Sequence, residues 1–225
     1  MKYIILLFIF QSYLLSNLLY CEIDFDKINS MFDNANKLYE EGDYLEANNL
    51  YINIASSNII SKDLFYNIAS SYAEIGSNGY AILWYERALN ISPFDKEIKN
   101  NISLLNGDDN QSVLIVIFYL TLLLFVIFFT VLIILFVRKR KIYYSFIILS
   151  VLFIIPSIIS YNLINSDYLI AVSRTNLYSG GSERTDIVSV INEGEKFRIL
   201  EEYSNWYYVK GSFKGWINKS FVEKI

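Results

Sequence analysis

The 225-residue chain contains no histidine and a single cysteine, and these absences exclude several classes of function. Without histidine there can be no Ser-His-Asp triad, no HExxH zinc helix and no imidazole acid–base group. One cysteine cannot form an internal disulfide or a cysteine-rich metal site. The net charge of −4 gives no basis for nucleic-acid binding. The composition therefore predicts no metal, no cofactor and no nucleic-acid partner.

Charged residues are also scarce, at 19% of the chain, and hydrophobic residues make up 54%. Much of the excess lies in three uncharged runs, residues 3–20, 113–137 and 142–164. A helix needs about 20 apolar residues to cross a hydrocarbon core of ~30 Å. The third run contains Pro156, which spanning helices tolerate. We predict a transmembrane helical hairpin, with helices at 112–137 and 142–164.

A basic tetrad separates the two runs and consists of Arg138, Lys139, Arg140 and Lys141. Short loops rich in Lys and Arg stay in the cytoplasm, so residues 138–141 should form a cytoplasmic turn. Both flanking parts of the chain would then lie outside the cytoplasm. Binding of anionic lipid headgroups is the alternative role for the tetrad, and we favour the topogenic one.

The first run, within residues 1–21, is typical of a secretory signal peptide or an uncleaved N-terminal anchor. Its only early positive charge is Lys2. Cys21 adds the option of lipoprotein processing. Tyr20 is bulky where such a cleavage site usually has a small residue, so the sequence leaves cleavage, lipidation and retention open.

Residues 22–110 contain an internal repeat of 34 residues. The copies occupy 28–61 and 62–95, and a further helix at 95–106 should cap the second copy. The shift superimposes small and aromatic residues: Ala35 on Ala69, Leu38 on Tyr72, Gly42 on Gly76, Ala47 on Ala81, and Tyr51 on Tyr85. This pattern resembles the tetratricopeptide repeat, an all-α fold in which small residues let two helices approach closely.

The resemblance implies a peptide-binding groove along the first helix of each pair. Its groove positions correspond here to Phe32, Asn36, Tyr39, Tyr66 and Ser70. The alternative is that these side chains form a solvated face with some core. Residues 22–110 carry 15 acidic and 6 basic residues, which favours a basic or neutral apolar partner over an acidic one.

Residues 165–225 change to a period of two, which predicts a small all-β barrel. Five strands are expected, at 168–172, 188–191, 196–200, 206–209 and 215–217. The order resembles the bacterial SH3-like domain, and the residues that carry the resemblance are Asn176-Leu177-Tyr178, Trp206-Tyr207-Tyr208-Val209 and Gly215-Trp216-Ile217.

The SH3-like resemblance implies an aromatic surface that contacts protein or cell-wall peptide. Tyr178, Trp206 and Tyr207 are the candidate contacts. We expect Tyr208 and Trp216 in the core, although strand alternation puts Trp206 on the same face as Tyr208 and leaves its place open.

The whole order is a signal, tetratricopeptide repeats, a transmembrane hairpin and an SH3-like domain. It resembles the BatE-type proteins of bacterial aerotolerance operons. That resemblance implies a multi-pass protein of the bacterial inner membrane with both soluble domains outside the cytoplasm. It also implies complexes with von Willebrand factor A-domain proteins and a MoxR-type ATPase system.

Two functions remain in view from the sequence. The first is a non-enzymatic scaffold that assembles envelope protein complexes. The second is a membrane protein that binds or senses peptidoglycan through its SH3-like domain. An enzyme is disfavoured, because the acidic pairs Glu40-Glu41 and Glu201-Glu202 are adjacent in sequence and suit solvated charge better than acid–base chemistry.

Overall fold

The computed structural model describes residues 25–105, 111–138 and 143–225. The chain divides into two compact units, Met1–Asn58 and Ile59–Ile225. The segment 1–21 with Cys21, the end of the expected capping helix at Asn106, and the basic residues at 139–141 lie outside the described residues.

Five helices precede the longest apolar run. In the first unit, α1 (Phe25–Glu40) and α2 (Tyr44–Ser56) form a hairpin. In the second unit, α3 (Lys62–Ile75) and α4 (Asn78–Ile91) form another, and α5 (Lys96–Leu104) packs against α4. One hairpin therefore covers each 34-residue copy.

The two hairpins share the same internal contacts at a spacing of 34 residues. In each, a tyrosine from the second helix packs edge-on against an aromatic ring of the first and hydrogen-bonds to a polar side chain one turn later. The ring pairs are Phe32–Tyr51 and Tyr66–Tyr85, both with centroids 5.6 Å apart, and the bonded pairs are Asn36–Tyr51 at 2.6 Å and Ser70–Tyr85 at 2.9 Å. Equal residues at equal spacing thus give equal packing.

The turns of the hairpins also match. Gly42 and Gly76 follow the first helix of each pair with φ of +87° and +83°, a left-handed conformation that costs glycine little. In both turns the residue after the glycine donates its N–H to the carbonyl five residues earlier, at 2.9 Å. This closing bond satisfies a carbonyl at the helix end.

Helix α5 begins at an N-cap supplied by Asp95. Its carboxylate accepts hydrogen bonds from the backbone N–H groups of Glu97 and Ile98, at 3.0 and 3.3 Å. Ile98 and Ile102, one turn apart, are buried against α4 and cover the end of the helical region.

Helices α6 (Gln111–Val137) and α7 (Tyr143–Ile164) pack against each other along their length. Both are long and apolar enough to cross a membrane, as the sequence predicted from length and composition. Phe128 and Phe153 stack between them with centroids 5.3 Å apart. The small side chains Ser150, Ser157 and Ser160 are buried on one face of α7, which allows close approach.

The remaining residues form one antiparallel sheet, the β-domain. Its seven strands are β1 (Tyr168–Ala171), β2 (Thr175–Tyr178), β3 (Ile187–Ile191), β4 (Lys196–Tyr203), β5 (Trp206–Lys210), β6 (Lys214–Asn218) and β7 (Val222–Lys224). Their spatial order is β3-β2-β6-β5-β4-β1-β7. Alternate residues of nearly every strand enter one core, on what we call the inner face: Leu169, Leu177, Ile191, Phe197, Tyr207, Val209, Ile217 and Val222.

The sequence predicted five strands, and two of the seven were missed. Strands β2 and β7 have only four and three residues, too short to show a period of two. Both are defined by their partners: β2 pairs with β3 and β6, and β7 pairs with β1.

In the second unit the β-domain docks on α4. Ile82 and Leu83 of α4 form a buried cluster with Ile170 and Val172, which point outward from the β1 segment. The approach is close at Gly79, where a Cβ atom would lie 2.8 Å from the carbonyl oxygen of Ala171. Helix α4 therefore buries a second face, opposite the one that packs on α3 and α5.

A buried ion pair lies within this contact. The ammonium group of Lys196 in β4 is 2.8 Å from the carboxylate of Glu86 in α4. The Glu86 side chain is 1% exposed and that of Lys196 is 15% exposed. Two charges withdrawn from water compensate each other only while both are present.

We therefore expect Lys196→Met to destabilise the second unit by about 3 kcal/mol, because it leaves the Glu86 carboxylate buried without its counter-ion. The double variant Glu86→Leu/Lys196→Met should recover most of this loss. Urea unfolding of the detergent-solubilised chain, followed by tryptophan fluorescence, measures both. Equal stability of Lys196→Met and the original chain would show that the pair is not buried.

Candidate functional site

An aromatic row crosses the outer face of the β-domain. Tyr178, Trp216 and Tyr208 lie directly opposite one another on β2, β6 and β5, and Glu201 on β4 continues the row. Because strand residues alternate between faces, all four point away from the core. The three aromatic side chains are half-buried, so part of each ring is open to a ligand.

Trp206, two residues before Tyr208 on β5, extends the row into a patch. Its ring meets that of Tyr178 at 90°, with centroids 5.6 Å apart. Tyr208 and Trp216 are tilted against each other at 5.2 Å. Gly181 lies beside both tryptophans: a Cβ atom there would be 3.8 Å from each ring. We call Tyr178, Trp206, Tyr208 and Trp216 the aromatic face.

Two expectations for these strands were wrong. Tyr207 was predicted as a surface contact, but it lies on the inner face, is 8% exposed and belongs to the core. Tyr208 and Trp216 were expected in the core and lie instead on the outer face. The reason is the alternation of β5, where Tyr207 and Val209 point inward and the residues between them point outward. Tyr178 and Trp206 come together, and Tyr207 does not join them.

The aromatic face can bind a ligand by stacking and by hydrogen bonds from the indole N–H and phenol groups. Within the described residues, no group of three potential metal-ligating side chains occurs. Glu202 is held by Lys219, whose hydrogen bond lowers the pKa of the carboxyl group, and Glu41 lies 3.7 Å from Lys37. These acidic residues form ion pairs.

The groove candidates of the first unit have partners within their own hairpin. Phe32 packs on Tyr51, whose hydroxyl donates to Asn36. Tyr39 packs edge-on against Tyr44, with centroids 5.1 Å apart. All three candidates remain half-buried, so each combines a packing role with an accessible edge.

In the second unit, Tyr66 and Ser70 lie close to α5. The Tyr66 hydroxyl donates to Glu97 at 2.6 Å and accepts from Asn101 at 3.2 Å. Burial and the hydrogen bond to the Glu97 carboxylate raise the pKa of Tyr66 to about 12, because both disfavour the phenolate. Ser70 is bonded to Tyr85. These two candidates form part of the contact between α3, α4 and α5.

Of the topogenic tetrad, only Arg138 is described, directly after the end of α6. Lys139, Arg140, Lys141 and the lipidation candidate Cys21 lie outside the described residues.

We expect Tyr66→Phe to destabilise the second unit by roughly 1 kcal/mol near neutral pH, the net value of a lost hydrogen bond. The raised pKa of Tyr66 makes its contribution complete below about pH 10 and lost as the pH rises towards 12. The difference between variant and original should therefore shrink in alkali. Urea unfolding at pH 7 and pH 11 measures it, with the exposed Tyr203→Phe as matched control. A difference that grows with pH would contradict the assignment.

Comparison with known proteins identifies the β-domain. Residues 173–223 match the family model described as the bacterial SH3 domain. The match contains the entire aromatic face and strands β2 to β6. A search of the curated proteins gave no match to the chain. The C-terminal part of this protein is thus a bacterial SH3 domain that follows two helices long and apolar enough to cross a membrane.

Proposed function

We propose that the protein is a non-enzymatic membrane scaffold that holds a protein partner on the aromatic face of its bacterial SH3 domain. The observation that carries this proposal is the cluster of four half-buried aromatic rings on one outer face, with no core role for three-quarters of its width. Domains of this family suggest binding to protein or to peptidoglycan. Tyrosine and tryptophan are the residues most enriched at the energetic centres of protein interfaces.

The helical region is proposed to be a pair of tetratricopeptide repeats with a capping helix. Ring contacts, side-chain hydrogen bonds and glycine turns recur at a spacing of 34 residues, as that repeat requires. It would supply a second binding surface that includes Tyr39 and Tyr66.

We further propose a multi-pass inner-membrane protein with both soluble parts outside the cytoplasm. Helix α4 precedes the apolar hairpin and the SH3 domain follows it, yet the two are in direct contact. If α6 and α7 span a bilayer, that contact requires both parts to lie on one side. The basic tetrad favours the extracytoplasmic side. The order of modules supports a relation to BatE-type proteins, with von Willebrand factor A-domain proteins and a MoxR-type system as partners.

A photo-crosslinker in place of Tyr178 should capture a protein partner in native membranes. Adding Trp206→Ala should weaken that capture roughly 30-fold, since truncating an aromatic anchor costs about 2 kcal/mol. The same crosslinker at Phe94, an exposed aromatic residue between α4 and α5, is the matched control. Absence of adducts at Tyr178, or capture unaffected by Trp206→Ala, would contradict the proposal.

Peptidoglycan binding is the second candidate, favoured by the two exposed indole edges, because such surfaces also stack on sugar rings. A protein scaffold should remain in the supernatant when the detergent-solubilised chain is centrifuged with purified cell walls. Sedimentation with the walls that Trp216→Ala abolishes, and that Phe94→Ala leaves unchanged, would decide for wall binding instead.

A further inference from the structure

Three basic residues face one another on the outer face of the SH3 domain, in the row next to the aromatic one. Arg198 on β4 lies opposite Lys210 on β5, which lies opposite Lys214 on β6. Like charges at directly opposed positions destabilise a sheet. Within the part of the chain that the structure describes, none of the three forms an ion pair with a carboxylate. We call these residues the basic rim.

An exposed phenylalanine stands between two of these cations. Lys210 and Lys214 are joined by a three-residue turn in which the Gly211 N–H donates to the Phe213 carbonyl at 2.9 Å. Phe213 is 56% exposed. A large apolar side chain flanked by lysines at the tip of a hairpin is suited to the boundary between headgroups and acyl chains.

The basic rim is tied closely to the end of α7. The row of directly opposed residues continues from Arg198 to Tyr168, the first residue of β1. The Tyr168 hydroxyl donates to the carbonyl of Leu163 in the last turn of α7, at 3.1 Å. Each step between opposed residues is about 5 Å, so the rim extends roughly 15 Å sideways from Tyr168.

We propose that the basic rim binds the anionic headgroups of the bilayer that α6 and α7 cross, with Phe213 inserted at the interface. Each cation near an anionic surface strengthens binding roughly fivefold, so three give about a hundredfold. Such a contact is weak for a free domain. Here only residues 165–167 separate the domain from α7, and that tether keeps the membrane surface at a high effective concentration. A soluble acidic protein would lack this advantage.

The test uses the full chain with Cys21→Ser and Ser212→Cys, labelled at the turn with an environment-sensitive fluorophore and placed in nanodiscs. In discs with anionic phospholipid, the emission should shift to the blue and be quenched by spin-labelled lipid. Lys210→Gln/Lys214→Gln should reduce the membrane-bound fraction, lowering its equilibrium constant roughly 25-fold. An unchanged tryptophan emission spectrum shows that the variant is folded.

The matched control is Arg174→Gln/Arg184→Gln, which removes the same charge from two exposed arginines elsewhere in the domain and should keep the quenching. Quenching that is absent, equal in zwitterionic discs, or equally lost in the control would overturn the proposal. Binding of polyglutamate at the turn without quenching in anionic discs would assign the rim to an acidic protein instead. None of these outcomes involves the aromatic face, so the proposed partner site is tested separately.

Discussion

The ion pair between Glu86 and Lys196 lies where α4 meets the outer face of the SH3 domain, and the arrangement of the second unit depends on that contact. An isolated charge in such a place would be expensive, so the helix and the sheet must meet in the register that brings the two groups together. Apolar side chains around the pair exclude water. The contact therefore fixes which part of the sheet faces the helix and which part stays open.

The helical hairpins show how far a repeated sequence determines structure. The spacing of alanine, glycine and tyrosine predicted two helix pairs, because each of these residues has a local role in packing or turning. The docking of α4 was not predicted. At the positions of α2 equivalent to Gly79 and Leu83 lie Leu45, which is 61% exposed, and Asn49. The difference between copies was visible in the sequence, but it has meaning only once the domain that covers α4 is known.

The β-domain shows the opposite limit. Its long strands follow from their alternation, and the core residues Val209 and Ile217 fall on the inner face as that pattern requires. Which face is inner cannot be read from β5 alone, since Trp206, Tyr207, Tyr208 and Val209 are all apolar or aromatic. Pairing decides it: Tyr207 lies opposite Ile217, and Tyr208 lies opposite Trp216. The site prediction therefore found the right segment and confused its two sides.

The outer face of the sheet is divided among three surfaces, and their separation explains how one small domain could serve several contacts. Docking on α4 uses Ile170 and Lys196, on β1 and β4. The aromatic face is centred on β2, β6 and β5, so docking leaves it accessible. The basic rim lies beside it on β4, β5 and β6. Because docking holds the sheet against α4, a ligand on the aromatic face meets a surface whose orientation to the helices is already set, and binding loses less rotational freedom than it would with a free domain.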